Sequence, residues 1–336
     1  MFQALLRKLG WDEASRERKK ALSAAIEQLV DATDRRLRLV PGYRQALEPG
    51  MRTAQAYLAT LMHQLPPMLD LSLRAYATDP RLGLLFSGPA SLLELLENSE
   101  PLREFFLSAS NGDEAWALMT MMRSETARFG MAMSNGEVRS DVAQIVVSFD
   151  AHRLMMLSPS LEQLQAKSGP RGQEVLAAVI ARRLSLCEQM RQQLESELGR
   201  LRLRRLSLRG GEQRTVIDAQ ADDRDLPASL SAVDARIGEI QPQLEALRAS
   251  ASLEGMLAEV KGVLEQPQDY FSLESVSLHL NRMGVKCDDP AAGDEDVTEL
   301  RLEEMVLGKI QPIRRALLPV RVSRQAIDEL RQRFGA

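Results

Sequence analysis

The sequence predicts a mainly α protein with a helical N-terminal domain, a long antiparallel coiled-coil hairpin and a small C-terminal α+β unit. Three observations predict it. Apolar residues recur at helical spacing through most of the chain, a heptad seam runs from Leu230 to Ala251, and alternating apolar/polar stretches follow Thr298.

Leu22, Ile26, Leu29, Leu37 and Val40 mark a first helix that Pro41-Gly42 ends. Met51, Ala54, Tyr57, Leu58, Leu61, Met62 and Leu65 form the stripe of a second, broken by Pro66-Pro67. Shorter helices follow Ser87-Gly88-Pro89 and Pro101, and Asn111-Gly112-Asp113 is a turn and cap. Glu114 to Met133 and Asp141 to Met156, separated by Asn135-Gly136, are apolar around much of their circumference and read as central helices of a domain spanning 1–158.

Residues 159–173 turn polar, and Ser168-Gly169-Pro170 reads as a linker. A hairpin is expected over 174–265. Its first helix, Glu174 to Leu208, presents Leu186, Met190, Leu194, Leu198 and Leu201 on one side; Gly210-Gly211 stops it, and a polar connector reaches Pro227. In the second helix, Leu230, Val233, Ile237, Ile240, Leu244, Leu247 and Ala251 alternate three and four apart, with Pro242 on the outer face. Leu194 and Leu198 would pack on that stripe within one chain, or the stripe would pair between two chains. Residues 266–336 form the last unit: a short helix from Phe271 to Met283, an acidic loop, a β-hairpin of Thr298 to Leu307 and Ile313 to Val322, and a closing helix from Ser323 to Phe334.

A hydrophobic content of 44% and a charged content of 27% belong to a folded chain, and a net charge of −4 over 336 residues provides no global pull toward nucleic acid or anionic membrane. Cys187 and Cys287 are solitary, which suits a reducing compartment. Met1 to Trp11 lacks a long apolar run and a small-residue cleavage site, and no later stretch approaches a spanning length. The cytoplasm is the expected location.

Chemistry-bearing patterns are sparse. Asp288, Gly293, Asp296 and Glu299 fall at calcium-loop positions, but Pro290 and Ala292 stand where oxygen ligands are needed. His152 lies between Asp150 and Arg153, yet on a helix Asp150 and His152 point apart; His63 and His279 are isolated. No phosphate-cradling loop, dinucleotide fingerprint or nucleophile elbow is present. The sequence therefore nominates no catalytic, metal or cofactor-binding residue. The methionines at 119, 121, 122, 131, 133, 155 and 156 read as flexible core filler, with an exposed docking groove as the alternative.

Three surfaces remain as candidates. The interaction seam comprises Leu194, Leu198, Leu230, Val233, Ile237, Ile240, Leu244 and Leu247. Arg200, Arg202, Arg204, Arg205 and Arg209 form a basic row that would take an anion or nucleic acid, although at 4% aromatic content stacking platforms for single strands are scarce. Phe2, Leu5, Leu6, Leu9 and Trp11 form a short amphipathic face for peripheral membrane contact or for packing on the helical domain. The expected function is a non-enzymatic cytoplasmic interaction or scaffold protein that binds a protein partner or itself. The alternatives are a nucleic-acid-binding regulator using Arg200 to Arg209 and an enzyme whose site assembles from distant residues.

Overall fold

The computed structural model describes residues 2–61, 66–134, 137–209, 226–287 and 297–335, without the side chains of 2–15, 109, 131–134 and 137–139. The side chains of Phe2, Leu5, Leu6, Leu9, Trp11, Met131 and Met133, as well as His63, the Asn135-Gly136 turn, most of the polar connector after Gly210 and the acidic loop from Asp288 to Asp296, lie outside the described residues.

The expectation of a mainly α fold is overturned by a six-stranded sheet. The segments expected to be central helices are two long strands, β2 (Glu114–Ser134) and β3 (Glu137–Ser158), paired antiparallel along their length. The segment from Phe271, expected to be a short helix, is β4 (Phe271–Leu280), paired with β5 (Thr298–Leu307). With β6 (Ile313–Ser323) the order is β3-β2-β6-β5-β4, and the short β1 (Leu69–Asp70) adds parallel to β6 beyond the end of its pairing with β5. The C-terminal hairpin and its closing helix therefore do not make a small separate unit; they complete a sheet whose other half comes from the middle of the chain.

The physical reason for the misreading is that the β2 residues paired with β6 are apolar on both faces. Ala115, Ala117, Met119 and Met121 point into one core, and Trp116 and Leu118 into another. A strand covered on both sides gives a continuous apolar run, which periodicity alone does not distinguish from a buried helix.

One sheet face is covered by four short helices, α3 (Leu73–Thr78), α4 (Pro80–Leu85), α5 (Pro89–Asn98) and α6 (Glu100–Leu107), and by the C-terminal α10 (Arg324–Phe334). Prolines at the first turns and the Ser72, Asp79, Ser99 and Ser323 side-chain caps explain why these helices start where they do. Leu82, Leu92, Leu96 and Leu102 are at most 1% exposed, each burial contributing about 1.5–3 kcal/mol. On the opposite face, Leu164 packs with Leu118 and Leu317.

Leu164 belongs to α7 (Leu161–Arg209), which runs through Ser168-Gly169-Pro170, where a linker was expected. A mid-helix proline costs roughly 3 kcal/mol. Buried Leu164 on one side and Leu176, Ala177 and Ile180 on the other hold the helical path across it.

The chain divides into two compact units, one of residues 1–54 and 174–266, the other of residues 55–173 and 267–336. The second contains the sheet. The first contains α1 (Phe2–Ala32), the start of α2 (Tyr43–Leu61), most of α7, α8 (Leu230–Ser250) and α9 (Leu253–Glu265). α1 ends earlier than Pro41-Gly42 suggests: Asp34 caps a separate 3-10 turn over Arg35–Leu39, which buries Leu37 completely. Gly50 lets α2 approach α9 so closely that a Cβ there would lie 2.8 Å from Leu264 Cβ. Glu27 gathers this unit's polar surface, accepting hydrogen bonds from Tyr43 Oη and Arg44 Nε at 2.6 Å each and from Arg38 Nη2 at 2.9 Å. The Tyr43 and Arg44 hydrogen bonds, Tyr43 foremost, hold its carboxyl down to about 2.

Candidate functional site

In the sheet-bearing unit a cavity of about 660 Å³ lies between β3 and the helices α4 to α6. Its position follows from irregularities in β3. The register with β2 shifts three times, and each shift coincides with a non-glycine residue at positive φ: Asp141 at 62°, Ala151 at 53° and Met156 at 58°. These are β-bulges, in which the extra residue kinks the strand and re-aims its neighbours. At the middle bulge Thr120 pairs with Arg153 and Met122 with Asp150, so Ala151 and His152 together face Met121.

His152 lies on the cavity wall, on the same face of β3 as Leu154, and its ring stacks on Phe86 with centroids 4.7 Å apart and planes 24° apart. Nε2 is shut off from solvent and makes no hydrogen bond. Burial pushes the imidazole below its ordinary pKa, opposed by the nearby Asp150 carboxylate and by the Leu85 backbone, which favour the protonated ring. Leu85, Phe86, Phe149 and Leu154 give the cavity a buried apolar floor. At its rim, Glu94, Glu100 and Asp150 outnumber Arg153, three carboxylates to one guanidinium.

The sequence passed over His152 on the premise of a helix, where Asp150 and His152 would diverge. On the bulged strand both residues line the same cavity. The signal that points to a strand is Asn135-Gly136 between two long runs, the most characteristic short-range hairpin pattern. No group of three or more histidine, cysteine or acidic side chains that could hold a metal ion occurs among the described residues.

The residues singled out in the sequence fall elsewhere. Leu194, Leu198, Val233, Ile237, Ile240 and Leu244 join one cluster with Leu201 inside the chain, while Leu230 and Leu247 are half-buried. Ion pairs from Arg205 to Asp234 at 3.5 Å, Arg236 to Glu197 at 2.8 Å and Arg248 to Glu195 at 3.0 Å run in opposite chain directions, so α7 and α8 pack antiparallel. Pro242 sits inside α8 without ending it.

In the basic row Arg202 and Arg209 are exposed, Arg204 and Arg205 are half-buried, and Arg205 is engaged with Asp234; Arg200 and Arg204 also have interaction partners. The methionines divide: Met119 and Met121 are fully buried, whereas Met122 is 48% exposed. No helix among the described residues is long and apolar enough to cross a membrane. No family model, curated protein or solved structure matches this chain.

Proposed function

We propose that this protein is a non-enzymatic, cytoplasmic interaction protein that binds an extended segment of a partner protein along the free edge of β2. One observation carries this reading. β2 pairs with β6 only as far as Met121, and from Met122 to Ser134 its only strand partner among the described residues is β3. The ribbon thus leaves the sheet for ~40 Å, at about 3.3 Å per residue. A long strand edge of this kind is a template for main-chain pairing unless proline, a bulge or short length blunts it.

The opposite edge of the ribbon is partly covered. Lys286 donates its amide to Ile145 O and Val147 donates its amide to Gly284 O, both at 2.8 Å. Those bonds also orient the ribbon. Ile145 and Val147 point their backbone groups away from β2, so Val146 and its opposite number Thr126 point toward each other. Glu125, Ala127 and Phe129 therefore direct their amides to the open edge of β2. Phe129 is 79% exposed, with Arg128 next to it and Glu125 further along the same strand, giving an incoming strand an aromatic anchor and charges of both signs. Cys187 and Cys287 stand outside any disulfide, which supports the cytoplasmic setting.

The test is Ala127→Pro, which removes an outward amide without touching the β2–β3 ladder, combined with residue-resolved hydrogen exchange. The expected result is fast exchange at 125, 127 and 129 in the isolated chain, protection there in a complex purified from cells, and loss of that complex in A127P at unchanged melting temperature. Slow exchange of those amides in the isolated chain, or a complex that survives A127P, overturns the proposal.

A further inference from the structure

We propose that the cavity between β3 and α4 to α6 is a binding site for a small organic ammonium ion with an aromatic or aliphatic body. It is independent of the ribbon edge and of the reading built on it.

The size and lining are those of a ligand site: about 660 Å³, with an apolar floor and a few convergent polar groups. The apolar body would rest on Leu85, Phe86, Phe149 and Leu154, which remain in contact with the cavity although they belong to the buried core. The charge would sit at the rim. Glu94 projects from α5, Glu100 from the first turn of α6 and Asp150 from β3, so three separate elements converge on one mouth.

None of these carboxylates is committed to an ion pair among the described residues. This distinguishes them from many of the described acidic groups, such as Glu27, Glu188, Glu195 and Glu304, which are held by arginines. Rim carboxylates kept apart from arginines retain their charge for a mobile cation.

His152 decides the sign of the ligand. A protonated imidazole would need a hydrogen-bond acceptor at each nitrogen, and Nε2 has none and is closed to water. The ring is therefore neutral when the cavity is at rest, so it does not repel a cation, and with Phe86 it adds a stacked aromatic wall. An anion would meet three carboxylates at the rim and only Arg153 to attract it. A transition metal is disfavoured because no cluster of three ligating side chains exists among the described residues.

The bulge lets residues from both sides of it line the cavity. His152 shares the face of Leu154 by plain alternation, and the extra residue at Ala151, whose φ of 53° is costly for a residue with a Cβ, shifts the alternation so that Phe149 faces that side too.

The experiment titrates the full chain with 2-phenylethylamine, 2-phenylethanol and phenylacetate, following the ring signals of His152 by NMR, assigned with a His152→Gln variant. The expected result is a saturable shift with the amine at roughly millimolar affinity, weakening about tenfold or more in the Glu94→Gln/Asp150→Asn double variant, with the alcohol weaker and the carboxylate without effect. Both substituted side chains are exposed, so the fold should survive, and the three-probe comparison on the unaltered chain stands by itself if it does not. No saturable shift with the amine, equal or tighter binding of phenylacetate, or amine binding unchanged in a folded double variant would each overturn the proposal.

Discussion

Arg123 Nη2 lies 3.2 Å from Glu304 Oε1 at the point where β2 parts from β6. Glu304 is 4% exposed and is also held by Arg314 at 2.8 Å, so two guanidinium groups compensate a carboxylate at the edge of the core. Arg123 ties the root of the ribbon to β5, two strands away in the sheet.

Replacing Arg123 by leucine leaves Glu304 with one cation in place of two. The expected cost is about 1–3 kcal/mol, below that of stripping a buried charge completely because Arg314 remains. Urea denaturation measures the loss, and hydrogen exchange should rise first in the residues around Met122. An unchanged midpoint would show that Arg314 alone suffices.

Ile237→Asp places a charge in the cluster shared by α7 and α8, where Ile237 is 6% exposed. Lost burial together with desolvation of the carboxylate should cost about 3 kcal/mol or more. Because this seam is covered within the chain, the effect belongs in the thermal melt followed by circular dichroism. Light scattering should find the same mass for both proteins. A change of mass at constant stability would assign the seam to self-association instead.

Gly50→Ala tests the close approach of α2 to α9. The added methyl would meet Leu264 Cβ at 2.8 Å, a contact neither backbone can relieve by a rotamer change. Overpacking costs about 1–3 kcal/mol, and the gain in helix propensity returns roughly 1, so a net loss is expected in the melting temperature.

Several groups shape the acid side of the stability curve, Glu27 and His152 among them. Glu27, held at about 2 by Tyr43 and the arginines, contributes stability that is fully present above its ordinary value of 4.5 and is lost as the pH falls from there toward 2. His152, depressed below 6.5 by burial, also favours the folded chain at higher pH. Its unfolded form takes up a proton first, so stability declines as the pH drops below 6.5 toward the folded value. Urea midpoints measured against pH should begin to fall below 6.5 and fall further below 4.5. His152→Gln should reduce the fall that begins below 6.5 and Glu27→Gln the one that begins below 4.5.

How much was legible differs from element to element. The C-terminal strands could be read because Leu300 and Leu302 face one side while Arg301 between them is charged, Gly308 supplies a turn at φ 88°, and Ser323 caps the helix that follows. β4 carries the same kind of signal in Val276, Leu278 and Leu280, spaced by two, but the following Gly284 made a capped helix the competing reading. His152 was hidden for a different reason. The segment that carries it reads as a buried helix, in which Asp150 and His152 diverge, and the one-residue bulge beside it has no compositional mark when the residue at positive φ is alanine and not glycine.

What the sequence by itself determined is local: where helices are capped, where the heptad spacing of Val233 to Leu244 demands cover, and where Leu300 and Leu302 alternate, since spacing along the chain dictates which side chains share a face. Only the tertiary structure decided that Glu114 to Ser158 is extended, that β2 inserts beside β6, and that His152 turns into a cavity. An apolar run such as Ala115 to Met122 satisfies either a buried helix or a strand covered on both faces, and the choice is made by the distant segments that supply the second face.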